Sequence, residues 1–212
     1  MLQPNLKRVE LPLRKPLERA QRLIDQIYFP ESGFASVVAR RSDGRGIEVG
    51  LIGREGMTGL AVLLSDDRSP HDTFMQSAGE GVRIAASSLR RAMEQSRTLH
   101  RTLMRYAHAF LLQTTYTAMV NGRSKIEERL ARWLLMAHDR VGQDEIALTH
   151  EFLAVMLGVR RPGVTVALKL LEAAGLIRTR RGIISLIDRQ GLERISEGAY
   201  GAAEAEYRRL MG

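Results

Sequence analysis

The stretch that decides the fold of the C-terminal half is LTHEFLAVMLGVRRPGVTVALKLLEAAGLIRTRRGIISL, Leu148–Leu186. Gly158 suits a tight turn that requires positive φ between two short helices. Pro162 suits the first turn of the second helix, expected at about 161–173, where a missing N–H is tolerated. Two short strands then follow, with a turn at Arg181–Gly182. The succession predicts a winged helix-turn-helix, which presents its second helix to the major groove of DNA.

The two faces of this unit differ in character. Apolar residues spaced by three and four predict the buried face: Leu153, Met156, Leu157, Val164, Leu168 and Leu171. The opposite face is basic, with Glu172 as the one acid between Gly158 and Gly182. A basic cluster neutralises phosphates and releases their counterions, whereas a solvated basic face on a small α/β domain is the alternative. The residues expected to contact DNA are Thr149, Arg160, Arg161, Pro162, Thr165, Lys169, Arg178, Arg180 and Arg181.

The N-terminal part, residues 1–96, has the pattern of a β-rich domain. Ser42–Gly46 (SDGRG) predicts a hairpin turn between strands Phe34–Ala39 and Glu48–Ile52. A second hairpin is predicted across Gly79–Gly81, between Phe74–Ala78 and Val82–Ala85. Three short helices are also expected, at Leu17–Ile24, at Met57–Leu64 and from an N-cap at Ser87 to Gln95.

A long helix is predicted over residues 97–121, and it is apolar on two sides. The first stripe alternates spacings of four and three like a coiled-coil seam, and it comprises Leu99, Leu103, Tyr106, Phe110, Gln113, Thr117 and Val120. The second stripe comprises Met104, His108, Leu111, Thr115 and Met119. A helix apolar on two sides must be covered on two sides. We expect the first stripe to form a homodimer interface, the alternative being one helix within a monomeric core.

A break is predicted after this helix, at Asn121–Arg123, because Gly122 can end a helix. Ser124 and Glu127 have the spacing of a capping box for the next helix. Residues 122–212 would then form the DNA-binding domain. The break is where a hinge would act, although the same residues also fit an ordinary loop.

Three further segments carry a resemblance to a known family: YFPESG (Tyr28–Gly33), IEVGLIGREGMTG (Ile47–Gly59) and SKIEERLARWLLMA (Ser124–Ala137). Together with the winged helix they resemble the Crp/Fnr transcription regulators over nearly the whole chain. The resemblance implies an α+β fold made of an N-terminal β-roll sensor domain like a cyclic-nucleotide-binding domain, a dimerisation helix and a C-terminal winged helix-turn-helix. Well-known members read their half-sites with a glutamate and two arginines. Only one of the two arginines has a counterpart in this chain, Arg161. Pro162 and Val166 stand at the other two positions, so we expect a different operator.

The resemblance also indicates where an effector would bind. Nucleotide-binding members hold the ribose with an acid, where this chain has Met57, and the cyclic phosphate with an Arg–Ser pair. Arg68 and Ser69 form such a pair nearby, but Pro70 follows and the spacing is long. Thr114 and Thr115 fall where cyclic-AMP-dependent members contact the base, and they equally suit a polar step in a dimer seam. We therefore expect no response to cyclic AMP, and either another ligand or none.

Composition favours a polyanionic partner, because the net charge of the 212 residues is +8. The absence of cysteine excludes thiolate-held iron–sulfur clusters, zinc and disulfides. The scattered histidines form no metal-binding motif, and no nucleotide-binding or hydrolase motif occurs, so we expect neither a cofactor nor enzymatic activity. The GREG sequence at 53–56 resembles the loop of an RNA-binding KH module but follows a strand rather than joining two helices. No apolar run could span a bilayer and no signal core begins the chain, so a cytoplasmic location is expected.

Two functions remain open from the sequence. The first is a homodimeric, bacterial, sequence-specific transcription regulator that binds double-stranded DNA and works with RNA polymerase. The second is a sensor or interaction protein whose winged helix binds other proteins. The basic face favours the first.

Overall fold

The computed structural model describes residues 2–212 and has the predicted α+β architecture. A β-roll comes first, a long helix follows it, and a winged helix and a final helix complete the chain. The β-roll strands are β1 (Lys7–Leu11), β2 (Pro16–Glu18), β3 (Gln26–Pro30), β4 (Phe34–Arg40), β5 (Gly46–Ile52), β6 (Asp72–Ser77) and β7 (Gly79–Ala85).

Two antiparallel sheets build the β-roll. One has the order β1-β7-β3 and the other has the order β2-β6-β4-β5. Apolar side chains from both sheets fill the space between them, among them Leu11, Val37, Ile52 and Met75. The burial of these side chains stabilises the roll, since each large apolar side chain contributes about 1.5–3 kcal/mol.

The hairpin of β4 and β5 is confirmed, whereas the second predicted hairpin is wrong. β6 pairs with β2 and β4, while β7 pairs with β1 and β3, so these two consecutive strands lie in different sheets. The chain changes sheet at Gly79, where a Cβ would lie 2.1 Å from the carbonyl oxygen of Ser32. Glycine is therefore needed for the close approach of two backbones, not for a hairpin turn.

The helix predicted at Leu17–Ile24 is also wrong. β2 occupies its first two residues, and the following turn is held by hydrogen bonds from the Gln21 N–H to the Ser69 carbonyl and from the Ile24 N–H to the Asp67 carbonyl. Pairing with distant segments outweighs the local helical pattern here.

Three helices lie beside the roll: α1 (Leu60–Leu63), α2 (Ala86–Gln95) and α3 (Arg97–Arg123). The N-cap of α2 is Ala85 and not Ser87, since the strand β7 leads directly into the helix. Ser96 caps α3 by accepting the Leu99 N–H. α3 continues through Gly122, so the predicted break lies two residues later, at Ser124 and Lys125.

The winged helix follows. Its helices are α4 (Ile126–Val141), α5 (His150–Leu157), α6 (Arg161–Ala173) and α7 (Arg189–Ile195), and its strands are β8 (Glu145–Ala147), β9 (Ile177–Arg180) and β10 (Ile183–Leu186). The capping box of α4 is one residue further on than predicted, with Glu128 accepting the Lys125 N–H. β8 was not predicted and completes a sheet of order β8-β10-β9.

The last helix, α8 (Ala202–Met211), leaves the winged helix and packs along α3. Its Tyr207 hydroxyl donates to the Glu55 carbonyl at 2.6 Å, and Met211 packs against the apolar cluster beneath α1 to α3. The C-terminus is therefore attached to the N-terminal half of the molecule.

Candidate nucleic-acid interface

The turn between α5 and α6 has the predicted geometry. Gly158 takes φ +62°, which ends α5 in the left-handed conformation that glycine adopts without strain. α6 begins at Arg161, with Pro162 in its first turn. Val164, Leu168 and Leu171 are buried, so α6 presents its other face to solvent.

The exposed face carries the predicted cations. Arg161 and Lys169 lie on α6, and Arg160 lies just before it. Arg178 and Arg180 lie on β9, and Arg181 is at the tip of the wing. Within residues 2–212, none of these cations forms a salt bridge. All are exposed, so their charge is available to a polyanion.

Two of the predicted contact residues have structural roles. The Thr149 hydroxyl accepts the Phe152 N–H and caps α5. The Thr165 hydroxyl donates to the Arg161 carbonyl and lies 3.2 Å from Nδ1 of His150, which connects α5 to α6. Both hydroxyls are thus engaged within the protein.

The wing is fixed to α6 by Glu172. Its carboxylate accepts the Thr179 N–H at 2.7 Å and the Thr179 hydroxyl at 3.0 Å. The one acid of the basic stretch therefore orients the wing and its arginines relative to α6.

Sequence reasoning did not assign a contact role to two apolar residues on this face. Val166 is 58% exposed and Leu170 is 51% exposed, and both lie on the solvent side of α6. Apolar side chains on a recognition helix can contact the methyl group of thymine. Their signal in the sequence was weak, because exposed and buried apolar positions alternate within one turn of α6.

The winged helix is packed directly against the β-roll. The largest apolar cluster includes Phe34, Val38 and Leu51 from the roll together with the core of the winged helix. The Phe34 and Trp133 rings meet edge to face, with centroids 6.2 Å apart. One continuous core therefore joins the two units.

A buried carboxyl lies at the centre of this contact. Glu48 of β5 accepts hydrogen bonds from the Ser36 hydroxyl at 2.5 Å and from the Trp133 indole N–H at 2.6 Å. Desolvation by burial raises the pKa of Glu48 to about 7, although the hydrogen bonds from Ser36 and Trp133 lower it. The contact therefore holds a group that changes charge near neutral pH.

A second polar link joins Arg140 of α4 to Glu55, which follows β5, with 2.7 Å between Nη2 and Oε1. Arg140 also donates to the Met136 carbonyl. Arg140 is buried and Glu55 is partly exposed, so loss of Glu55 would leave the guanidinium without its carboxylate partner in a poorly solvated position.

The stripe of the long helix that was expected to form the dimer interface makes its contacts within the chain. In this first stripe, Leu103, Tyr106 and Val120 are buried. The Tyr106 hydroxyl donates to the Met57 carbonyl, and the Gln113 side-chain amide bonds both backbone groups of Leu51. The whole predicted set packs on or towards the β-roll: Leu99, Leu103, Tyr106, Phe110, Gln113, Thr117 and Val120. The second stripe is open to solvent from His108 onward, with Leu111 61% exposed, whereas its first member, Met104, packs against the apolar cluster beneath α1 to α3.

The predicted effector residues are not brought together. Arg68 is exposed and lies 3.5 Å from Asp67, while Ser69 is buried and donates to the His71 carbonyl. The hydroxyls of Thr114 and Thr115 donate to carbonyls of their own helix. Met57 is buried in the apolar cluster under α1 to α3, so its side chain is not available to a ribose.

A cavity of about 410 Å³ does lie at the side of the roll. Its polar groups include Glu18, Ser69 and His71, and none of the residues 2–212 that line it is a lysine or arginine. Burial raises the pKa of Glu18 and lowers that of His71. The cavity is thus without the fixed cation that a cyclic phosphate requires.

Comparison with known proteins agrees with this geometry. Residues 128–195 match the model of the Crp-like helix-turn-helix domain. No curated protein matches the chain.

Solved structures match over nearly the whole length. FixK2 from Bradyrhizobium japonicum is 19% identical with a TM-score of 0.77, over 90% of this chain and 96% of that one. A CRP-family transcriptional regulator from Thermus thermophilus is 20% identical with a TM-score of 0.75, over 92% and 99%. The c-di-GMP-responsive global regulator CLP of Xanthomonas campestris is 21% identical with a TM-score of 0.68, over 87% and 95%.

The fold and the exposed basic helix define a winged helix-turn-helix protein with an attached β-roll. Residues 128–195 form a Crp-like helix-turn-helix domain, and the chain as a whole has the fold of the Crp/Fnr transcription regulators. Within residues 2–212, no helix is both long and apolar enough to cross a membrane.

Proposed function

We propose that this protein is a DNA-binding transcription regulator whose α6 enters the major groove. The observation that carries the proposal is the set of exposed cations around α6 and the wing of a Crp-like helix-turn-helix domain, none of which forms a salt bridge with another of residues 2–212. The proposal covers residues 1–96 as a sensor domain, 97–121 as a dimerisation helix and 122–212 as the DNA-binding domain. RNA polymerase is the partner through which such a regulator acts.

The contacts divide by position. Arg161, at the start of α6, has the planar fork that pairs with the O6 and N7 atoms of guanine. Arg180 and Arg181 lie at the wing, where backbone phosphates pass on either side of the groove. In this arrangement α6 recognises the bases, and the wing contributes mainly to affinity that does not depend on sequence.

The second stripe of α3 supports a homodimer. His108, Leu111 and Thr115 are exposed and follow one another at spacings of three and four, which is the pattern of a seam between parallel helices. Because the first stripe is covered by the β-roll, the open stripe is the surface that a second copy would cover. Two-fold symmetry would then place two α6 helices on adjacent major grooves.

The β-roll supports a regulator that does not respond to cyclic AMP. Among residues 2–212, the lining of this cavity includes the partly buried Glu18 and no lysine or arginine, so it offers no cation to hold an anionic phosphate.

The experiment that tests DNA binding is fluorescence anisotropy with a labelled duplex across a salt series. The full chain is expected to bind at low salt, with a steep loss of affinity as salt rises. An Arg178→Gln/Arg180→Gln variant should flatten the salt slope by about two phosphate contacts. The control is Arg19→Gln/Arg22→Gln, which makes the same charge change on an exposed turn of the roll. Absence of binding at low salt, or equal effects of the two variants, would refute the proposal.

A further inference from the structure

A separate cavity of about 230 Å³ lies where both units meet the C-terminal helix. Its walls come from the segment after β5, from α3, from the end of α4 and from α8. It is distinct from the cavity of the β-roll, although Phe110 of α3 lines both. Formation of the site therefore requires the β-roll, the winged helix and the C-terminus together.

Some charged side chains that line this cavity have ion-pair or hydrogen-bond partners in the protein, and others do not. Each of its acids already has a hydrogen-bond or ion-pair partner. Asp139 pairs with Arg189 at 2.8 Å, Glu204 accepts the Gly201 N–H at 2.8 Å, and Glu55 pairs with Arg140 at 2.7 Å.

Two of its arginines have no such partner. Arg54 and Arg208 line the cavity from opposite elements, and neither forms a salt bridge with any of residues 2–212. With Glu55 and Asp139 paired, Arg54 and Arg208 remain against the carboxylate of Glu204, which leaves the wall an excess of one positive charge. Guanidinium groups suit a carboxylate or a phosphate.

Arg140 gives an independent indication. It is 9% exposed, it lines the cavity, and its Nε has no hydrogen-bond partner within residues 2–212. A buried guanidinium donor without an acceptor is unfavourable, because it loses its hydrogen bond to water without gaining another. With a small shift of the side chain, an anion in the adjacent space would accept the missing hydrogen bond.

Apart from Gln113 and the tyrosine hydroxyls, the rest of the wall is apolar. Leu51, Ala109 and the ring of Phe110 line one side, and the ring of Tyr106 lies beside them with its hydroxyl already bonded to the Met57 carbonyl. We propose that this cavity binds a small organic anion whose carboxylate or phosphate lies between Arg54, Arg140 and Arg208 and whose flat apolar body rests on Phe110 and Tyr106.

The site has a consequence that depends on the proposed function. A ligand that contacts Arg54 of the roll, Arg140 of α4 and Arg208 of α8 would favour the arrangement in which these elements are together. Its binding would then shift the position of the winged helix, and hence DNA affinity, through differential affinity for the two arrangements.

The test measures binding without DNA, so its failure is distinguishable from failure of the regulator proposal. Calorimetry and ligand-observed NMR would use two aryl anions, phenyl phosphate and benzoate, as probes. Inorganic phosphate, which has no apolar ring, and benzyl alcohol, which has no charge, would serve as comparison ligands. Saturable binding of at least one aryl anion is expected, and whichever of the two binds tighter identifies the headgroup. Inorganic phosphate and benzyl alcohol should each bind at least about tenfold more weakly than the better aryl anion.

Matched variants test the location. The Arg54→Gln/Arg208→Gln variant should bind the aryl anion about tenfold or more weakly than wild type, since two charge-assisted contacts are lost. Arg209→Gln removes the neighbouring arginine of α8, which pairs with Glu206 outside the cavity, and should leave the affinity unchanged. Absence of saturable binding of both aryl anions, equal binding of benzyl alcohol, or equal affinity of the double variant and wild type would each overturn the proposal.

Discussion

At the scale of single residues, Arg161 and Arg180 have similar exposure and different surroundings. Arg161 is in the first turn of α6, and Arg180 ends β9 beside the tip of the wing. Neither is held by a carboxylate within residues 2–212, so both are free to contact DNA. Their positions predict different losses on substitution.

Arg161→Ala is expected to reduce discrimination between the preferred site and random DNA by about 1–3 kcal/mol, because a bidentate contact with guanine is lost. Arg180→Ala should instead lower the affinity for all DNA sequences alike and reduce the slope of log affinity against log salt concentration by about one. Anisotropy with specific and random duplexes measures both effects. Identical behaviour of the two variants would show that this division of roles is incorrect.

Glu48 predicts a pH dependence of stability. Its pKa is raised from 4.5 to about 7 in the folded chain, so between these values the folded state holds a proton that the unfolded state has released. The free energy of unfolding should therefore decrease as pH rises through this window, because the folded state binds more protons. Below pH about 4.5 the contribution is complete, and above about 7 it is lost.

Glu48→Gln should remove this dependence, since glutamine resembles the protonated acid and can still accept the Trp133 N–H. Denaturant unfolding at about pH 5 and about pH 8 should show wild type losing on the order of 2 kcal/mol relative to the variant. Glu80→Gln, at an exposed position of β7, is the control and should follow wild type. A wild-type profile parallel to that of Glu48→Gln would contradict the assignment.

At the scale of elements, α3 shows how far the sequence could predict the structure. Its length and its two apolar stripes followed from spacing alone. Which stripe faces the roll did not, because both are apolar and their partners, such as Leu51 and Met57, lie about fifty residues earlier in the chain. The same limit explains β6 and β7, where strong local turn residues mark a change of sheet, and α8, whose attachment to Glu55 is a long-range contact.

The winged helix was predicted more completely because its determinants are local. The turn at Gly158, the start at Pro162 and the tip at Gly182 are set by backbone conformation within a few residues. The exposed cations were recognisable for the same reason. Glu48 was not, since a lone glutamate in a strand gives no indication that Trp133 will cover it.

If the open stripe of α3 is the dimer interface, a single negative charge placed on it should weaken the dimer. Leu111→Asp should raise the dissociation constant of the dimer by about a hundredfold, or roughly 2.7 kcal/mol, because a carboxylate would have to be desolvated at the seam. Leu23→Asp is the matched control, since Leu23 and Leu111 are both 61% exposed and Leu23 lies on the roll. Sedimentation of both variants measures the change.

Phe110→Asp provides the contrast. Phe110 packs against the interior cluster of the roll, so this substitution should destabilise the folded chain itself rather than separate two intact copies. Folded monomers from Phe110→Asp together with dimers from Leu111→Asp would restore the first stripe as the interface.

At the scale of the whole molecule, the roll and the winged helix share one core, and a buried carboxyl and an ion pair cross their contact. A change in the roll is thus transmitted to α4 by direct contact. The chemistry of the two cavities determines which ligands each of them can hold.

Cyclic AMP is expected to leave the protein unchanged. The roll cavity offers Glu18 where a phosphate needs a cation, and Arg68 is directed to Asp67 at the surface. Calorimetry at millimolar cyclic AMP should show no saturable binding, and DNA affinity should be the same with and without it. Tightening of DNA binding by about tenfold, roughly 1.4 kcal/mol of coupling, would contradict this and assign Arg68 and Ser69 to the phosphate.

The central claim is that two copies of this chain present two α6 helices to one DNA duplex. Selection of bound sequences from a random duplex library by the full chain tests it most directly. The account predicts an enriched inverted repeat whose half-site centres are about 34–36 Å apart, one turn of DNA, with enrichment lost in Arg161→Ala. Recovery of no enriched sequence, or of a single unrepeated site unaffected by Arg161→Ala, would contradict it.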